Sequence, residues 1–175
     1  MKPRRADRWL LMCLSAFFVT SGAALWETIL FVPAWSRAAP ASLRVFAAPY
    51  SIDPSLFWGV EHTAFELILS VTLVVNWRLQ NRRLPLLGVA VLYAVTRLWT
   101  LIYFAPAFIH FHHIPASSTV DTLQTQLTTR WRDLNYVRTT LVVAGNVLML
   151  WLCMRALLPW EGKRLSGPND ELAGL

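Results

Sequence analysis

Four long apolar runs constrain this chain more than anything else in it. They cover residues 9–35, 55–78, 84–105 and 135–158. A bilayer's hydrocarbon core, about 30 Å thick, takes roughly 20 helical residues at about 1.5 Å each, and every run meets that length. Lipid offers backbone N–H and C=O groups no partner, so only helices and closed barrels cross it. These runs lack the alternating period of a barrel strand. The expected fold is all-α, a four-transmembrane-helix bundle. Residues 1–160 should form one membrane domain, and 161–175, rich in Gly, Pro and charge, a flexible cytoplasmic tail. The chain is 55% hydrophobic and 15% charged, more apolar than a soluble domain of 175 residues. The first run has a basic start like a signal peptide, but it is long and Glu27 interrupts it, so it is read as a span.

Local punctuation supports this division. Asp53-Pro54 reads as an N-cap and first helical position opening the second helix. Residues 81–85, NRRLP, read as a tight polar turn before the third. Ser118-x-x-Asp121 reads as a cap, and Val120, Leu123, Leu127, Trp131 and Leu134 follow at helical spacing, so an amphipathic extension is expected before helix four. Tryptophans 9, 35, 77, 99, 131 and 160 sit mostly at run ends, as interface belts do. No internal repeat or low-complexity segment is evident.

Charge placement gives orientation. Ten of the 16 Lys and Arg residues lie near the termini and the 78–83 turn, against five around the two long loops. The positive-inside rule then makes the protein N-in/C-in and multi-pass, with both termini and the short second loop in the cytoplasm. The net charge of +6 does not imply nucleic acid, because the basic residues flank apolar runs and form no separate domain. Cys13 and Cys153 lie within runs with no CxxC or zinc spacing, which disfavours thiol-disulfide and zinc chemistry.

Ionisable side chains inside the runs mark a candidate site. Counting from the run ends places Glu27, Glu61, His62, Glu66 and Arg97 roughly 9 to 17 Å below the surface carrying the long loops. Asn135, Arg138, Val142 and Asn146 share one face of helix four. A charge at such depth is costly unless it faces protein, water or a partner. His62 and Glu66 share a helical face, Glu61 points about 100° away from His62, and Arg97 lies at the depth of Glu66 and should pair with it. Glu27 lies on a stripe of small residues, Ala16, Thr20, Ala23 and Ala24, which lets a neighbouring helix approach. The half nearer the termini holds no group of comparable cost. His110, His112 and His113 are near enough in sequence to suggest a metal, but their spacing matches no metal motif, so no metal ligand is assigned. Serine-hydrolase, P-loop and dinucleotide fingerprints are absent.

The phrases ALWETILFVPAW, FWGVEHTAFELIL, TRLWTLIYFAPAF and RWRDLNYVRT, taken in order, resemble a family of bacterial four-span membrane proteins of unknown function near the anthrone oxygenase-like group. The resemblance spans residues 21–158 and implies a four-helix membrane bundle acting on a lipophilic aromatic compound.

Two functions stay open at this point. In one, the bundle is an oxygenase-like enzyme. His62 is then the acid/base, Glu66 its partner and Arg97 a stabiliser of developing negative charge, with Glu27, Glu61, Trp58, Trp99, Tyr103, Asn135 and Arg138 binding the ligand. In the other, the buried charges knit the helices together in a non-enzymatic lipid or small-molecule binder or accessory subunit. The expected partners are the lipid bilayer and a hydrophobic small molecule, with homo-oligomerisation left open and no nucleic acid. The sequence names no cofactor. Transport is disfavoured, because four spans show no broken-helix pair.

Overall fold

The computed structural model describes residues 3–47, 51, 53–115 and 117–158. The tail over 161–175 and Trp160 lie outside the described residues. Four helices are long and apolar enough to cross a membrane: Arg4–Ser36, Ser55–Asn76, Gln80–His112 and Thr122–Leu157. They are called the first to fourth spans below. The described residues include no strand beyond a single bridge between Pro40 and Val120.

The spans form a ring in which the first packs on the second and fourth, and the third on the fourth and, less closely, the second. Two apolar cores hold the ring together. One lies toward the termini and joins Leu10, Cys13 and Phe17 to Phe65, Leu86, Val89 and Met149. The other lies toward the long loops and joins Phe31, Trp35 and Leu43 to Phe104, Phe111 and Trp131. Lipid tails are as apolar as these side chains, so association rests on close packing and interhelical hydrogen bonds rather than on expulsion of water. Asn146 donates to Ser21 at 2.6 Å and Thr28 meets Thr139 at 2.7 Å, both buried between the first and fourth spans.

Several helix boundaries differ from the sequence reading. Residues 81–85 are not a turn; they lie in the helix Gln80–Trp99, and the reversal is made at 77–79, where the Leu79 N–H bonds the Asn76 carbonyl. Pro54, not Asp53, is the N-cap residue of the second span, although Asp53 still accepts from the Ser55 N–H at 2.9 Å. Asp121, not Ser118, is the N-cap of the fourth span and accepts from the Gln124 N–H at 2.8 Å. The extension before the fourth span is helical, but its buried face runs through Thr128, Trp131 and Asn135, leaving Leu123 and Leu127 exposed. Trp35 and Trp131 are buried in the loop-side core and are not belt residues. The half nearer the termini does hold a buried charge, since Arg82 pairs with Asp7 at 2.8 Å and bonds Asn76.

The structure also reveals an internal repeat. The first span carries a π-helical turn at Glu27–Phe31 and the third carries one at Thr100–Phe104. Each closes with the N–H of the next residue bonded five residues back, Val32 to Glu27 and Ala105 to Thr100. Each is followed by proline at the second position of the next helical segment, Pro33 and Pro106. Proline has no N–H and its ring crowds the carbonyl four residues back, so one wide turn relieves both problems. Aligning the turns matches LWETILFVPAW to LWTLIYFAPAF. Leu25, Trp26, Ile29, Phe31, Pro33 and Ala34 recur as Leu98, Trp99, Ile102, Phe104, Pro106 and Ala107. These identities stand in the sequence without a gap, so the absence of a repeat in the sequence reading is corrected here; the structure adds the shared break in helical phase.

Candidate functional site

A cavity of about 320 Å³ lies between the two cores, in the half of the bundle nearer the long loops. All four spans line it. The first contributes Thr20, Ala24 and Glu27, the second Trp58, Gly59 and His62, and the third Tyr93, Arg97, Thr100 and Phe104. Trp131, Arg138 and Val142 come from the fourth. The walls are aromatic and aliphatic with a few convergent polar groups, the usual make-up of a small-molecule site.

Two linked sets of polar groups stand around it. In the first, Arg97 Nε donates to Glu66 Oε1 at 2.9 Å, and the Tyr93 hydroxyl donates to the same oxygen at 3.3 Å. The Tyr93 oxygen lies 3.2 Å from His62 Nδ1. Because that hydroxyl gives its proton to Glu66, its lone pairs face the imidazole, which selects the Nδ1–H tautomer and leaves Nε2 basic. Glu61 Oε2 lies 3.2 Å from the same Nδ1, while its other oxygen accepts from Thr20. Trp58 stacks on the His62 ring at 5.3 Å, fixing its plane. In the second set, Arg138 Nη1 donates to Thr100 at 3.0 Å, and Nη2 stands 3.7 Å from Glu27 Oε2. Phe104 packs under the guanidinium at 4.6 Å. The terminal nitrogens of Arg97 and Nε2 of His62 have no hydrogen-bond partner among the described residues, and both residues line the cavity.

The structure brings most of the sequence-predicted residues together and separates some. Glu66 and Arg97 pair as expected, but Glu66 stands behind Arg97 and does not line the cavity. Glu61 does contact His62, contrary to the 100° argument, because a flexible carboxylate bridges adjacent positions. Glu61 also lies outside the lining. Trp99 and Tyr103 do not line it either; both pack edge-on against Phe104 and shape the wall from behind. Asn135 is buried and donates to Thr28 at 2.9 Å, out of the cavity. Glu27, Trp58, His62, Arg97 and Arg138 all face it. The histidines near the third span's end do not converge: His112 lies between the rings of Phe46 and Phe108, and His113 bonds the Ile109 carbonyl. Among the described residues no three His, Cys, Asp or Glu side chains are placed to hold a metal ion.

Tyr93 and Thr20 escaped the sequence reading. Tyr93 precedes Arg97 by four residues and so lies on the same face one turn deeper, a signal that was there to use. Thr20 was read as a small residue, and its hydroxyl instead holds Glu61. Compared with family models, curated proteins and solved structures, the chain matches none.

Proposed function

We propose that this protein is a multi-pass inner-membrane protein, both termini cytoplasmic, whose cavity binds a lipophilic aromatic compound and transfers a proton with it. The observation that carries this reading is the set of unused groups on one apolar cavity: the His62 Nε2 lone pair and the terminal nitrogens of Arg97.

The geometry suits deprotonation of a carbon made acidic by an adjacent carbonyl. His62 Nε2 accepts the proton, and Glu61 Oε2 beside Nδ1 stabilises the imidazolium. Tyr93 and Glu66 hold the ring's tautomer. Arg97 and Arg138 offer N–H donors to the enolate oxygen between largely apolar walls. In the oxygenase-like reaction that the family resemblance suggests, the activated methylene then takes up one molecule of oxygen. Its two hydrogens leave as water with one oxygen atom, and the other atom becomes a carbonyl.

Anthrone supplied to the purified protein in nanodiscs tests this. Oxygen uptake matched by anthraquinone formation, abolished in His62→Ala at unchanged folded yield, supports the reading. Anthrone bound without turnover favours a non-enzymatic binder, and loss of folding in His62→Ala with no separable activity assigns these residues to structure alone.

A further inference from the structure

The internal repeat sets up a comparison between two interfaces. If the first and third spans are equivalent, the contact of the first with the fourth corresponds to that of the third with the second. The two differ. The first span meets the fourth along its α-helix, its π turn and Val32–Ser36, sealed by the Thr28–Thr139, Asn135–Thr28 and Asn146–Ser21 hydrogen bonds. The third meets the second along Gln80–Trp99, but its residues 100–112 make no comparable contact with it. The second span's start is correspondingly bare: Leu56, Phe57 and Val60 are 79%, 50% and 63% exposed. The cavity reaches this unsealed seam, with Ser55, Trp58 and Gly59 on one lip and Ala105, Phe108 and Ile109 on the other.

We propose that the seam between the second and third spans is a lateral portal. The ligand is an amphiphile whose oxygenated head lies in the cavity and whose apolar tail stays in the seam, in contact with lipid. This rests on the reading of the cavity as a ligand site. Three observations support it. The seam lies at the loop-side ends of two helices long and apolar enough to cross a membrane, and its exposed neighbours Leu56 and Ile109 are apolar, so a tail leaving it meets an apolar surface. A cavity of about 320 Å³ is at the small end for a ligand site and suits a ring system rather than a ring with its chain. Gly59 lies within the helix Ser55–Asn76, yet a Cβ there would meet nothing within 4 Å. Glycine in a helix costs about 0.5–1 kcal/mol relative to alanine, and no close packing requires it here; its missing side chain keeps this lip of the seam open.

The test uses two quinones with the same head: a dimethoxy-methyl-benzoquinone without a tail and its decyl-substituted form. Each is titrated into the full chain in nanodiscs, with binding read by tryptophan quenching and expressed per mole fraction in the bilayer, so that partitioning cancels. Wild type is expected to bind both within about threefold. Ser55→Trp and Ile109→Trp, which fill the seam from opposite lips, are each expected to weaken the decyl form at least tenfold and leave the tailless form within threefold. Melting temperature shows which variants are folded, and either one suffices. A wild type that takes the tailless quinone and refuses the decyl form overturns the portal and spares the site. So do lip variants that leave decyl binding untouched, or that lose both quinones while folded. Failure of wild type to bind either quinone overturns the ligand site and the portal together.

Discussion

Glu27 and Thr100 open the π-helical turns of the first and third spans, and both reach the same guanidinium. Arg138 Nη1 donates to Thr100 at 3.0 Å while its Nη2 stands 3.7 Å from Glu27 Oε2. Two equivalent positions of the internal repeat thus converge on one cation from the fourth span. The 3.7 Å contact is an ion pair and too long for a hydrogen bond. Arg138→Gln leaves the Glu27 carboxylate buried without its countercharge and is expected to cost about 3–5 kcal/mol. Glu27→Gln together with Arg138→Gln should recover at least half of that. A double-mutant cycle on denaturant unfolding in detergent measures it, and additive losses would show that the pair is not coupled.

Tyr93 holds His62 in the tautomer that leaves Nε2 unprotonated. Tyr93→Phe removes the hydroxyl from between Nδ1 and Glu66 while keeping the ring's contact with Phe65, at 4.7 Å between centroids. The stability cost should stay near 1 kcal/mol, the net worth of a hydrogen bond. Anthrone oxidation should fall about 10- to 100-fold, mainly in kcat, because the tautomer and not the binding surface is disturbed. A fall in KM-dependent binding with kcat intact would place Tyr93 in ligand recognition instead.

The glycines separate tight packing from open space. A Cβ at Gly145 would stand 2.9 Å from Cζ of Phe17, a ring buried at 1% exposure against Phe65. Gly145→Ala should therefore destabilise by about 1–3 kcal/mol through overpacking. Gly59→Ala meets nothing and should be neutral or stabilising by up to about 1 kcal/mol. Thermal unfolding of both variants in one detergent decides, and equal effects would mean that the first and fourth spans have slack near Phe17.

Sidedness has its own measurement. Ser117→Cys lies in the long loop between the third and fourth spans, and the native cysteines, Cys13 and Cys153, are buried. A membrane-impermeant maleimide is expected to label it in intact cells, and an Arg78→Cys variant only after lysis. The opposite pattern would invert the orientation inferred from the basic residues.

How much of this was legible in the sequence differs between residues. The spans were, because membrane crossing is set by run length and backbone satisfaction, both of which are local. The cap of the fourth span was legible only to within one turn, since the pattern starting at Ser118 pointed to the right stretch and Asp121 is the residue that caps. The pairing of Glu66 with Arg97 followed from depth, since alternating chain direction and a fixed rise per residue place groups along the bundle axis. Rotation about each helix axis was far less legible. Trp99, Tyr103 and Asn135 lie at the right depth and face away from the cavity, and Trp35 and Trp131 are core instead of belt.

The sequence by itself determined how many spans there are, which stretch of chain each occupies, and at what depth the ionisable groups sit. Tertiary structure alone decided which of those groups meet. The two π-helical turns shift helical phase midway along the first and third spans, so no single 100° wheel describes either face. The seam between the second and third spans likewise exists only as a difference between two packed interfaces, which no stretch of one helix encodes.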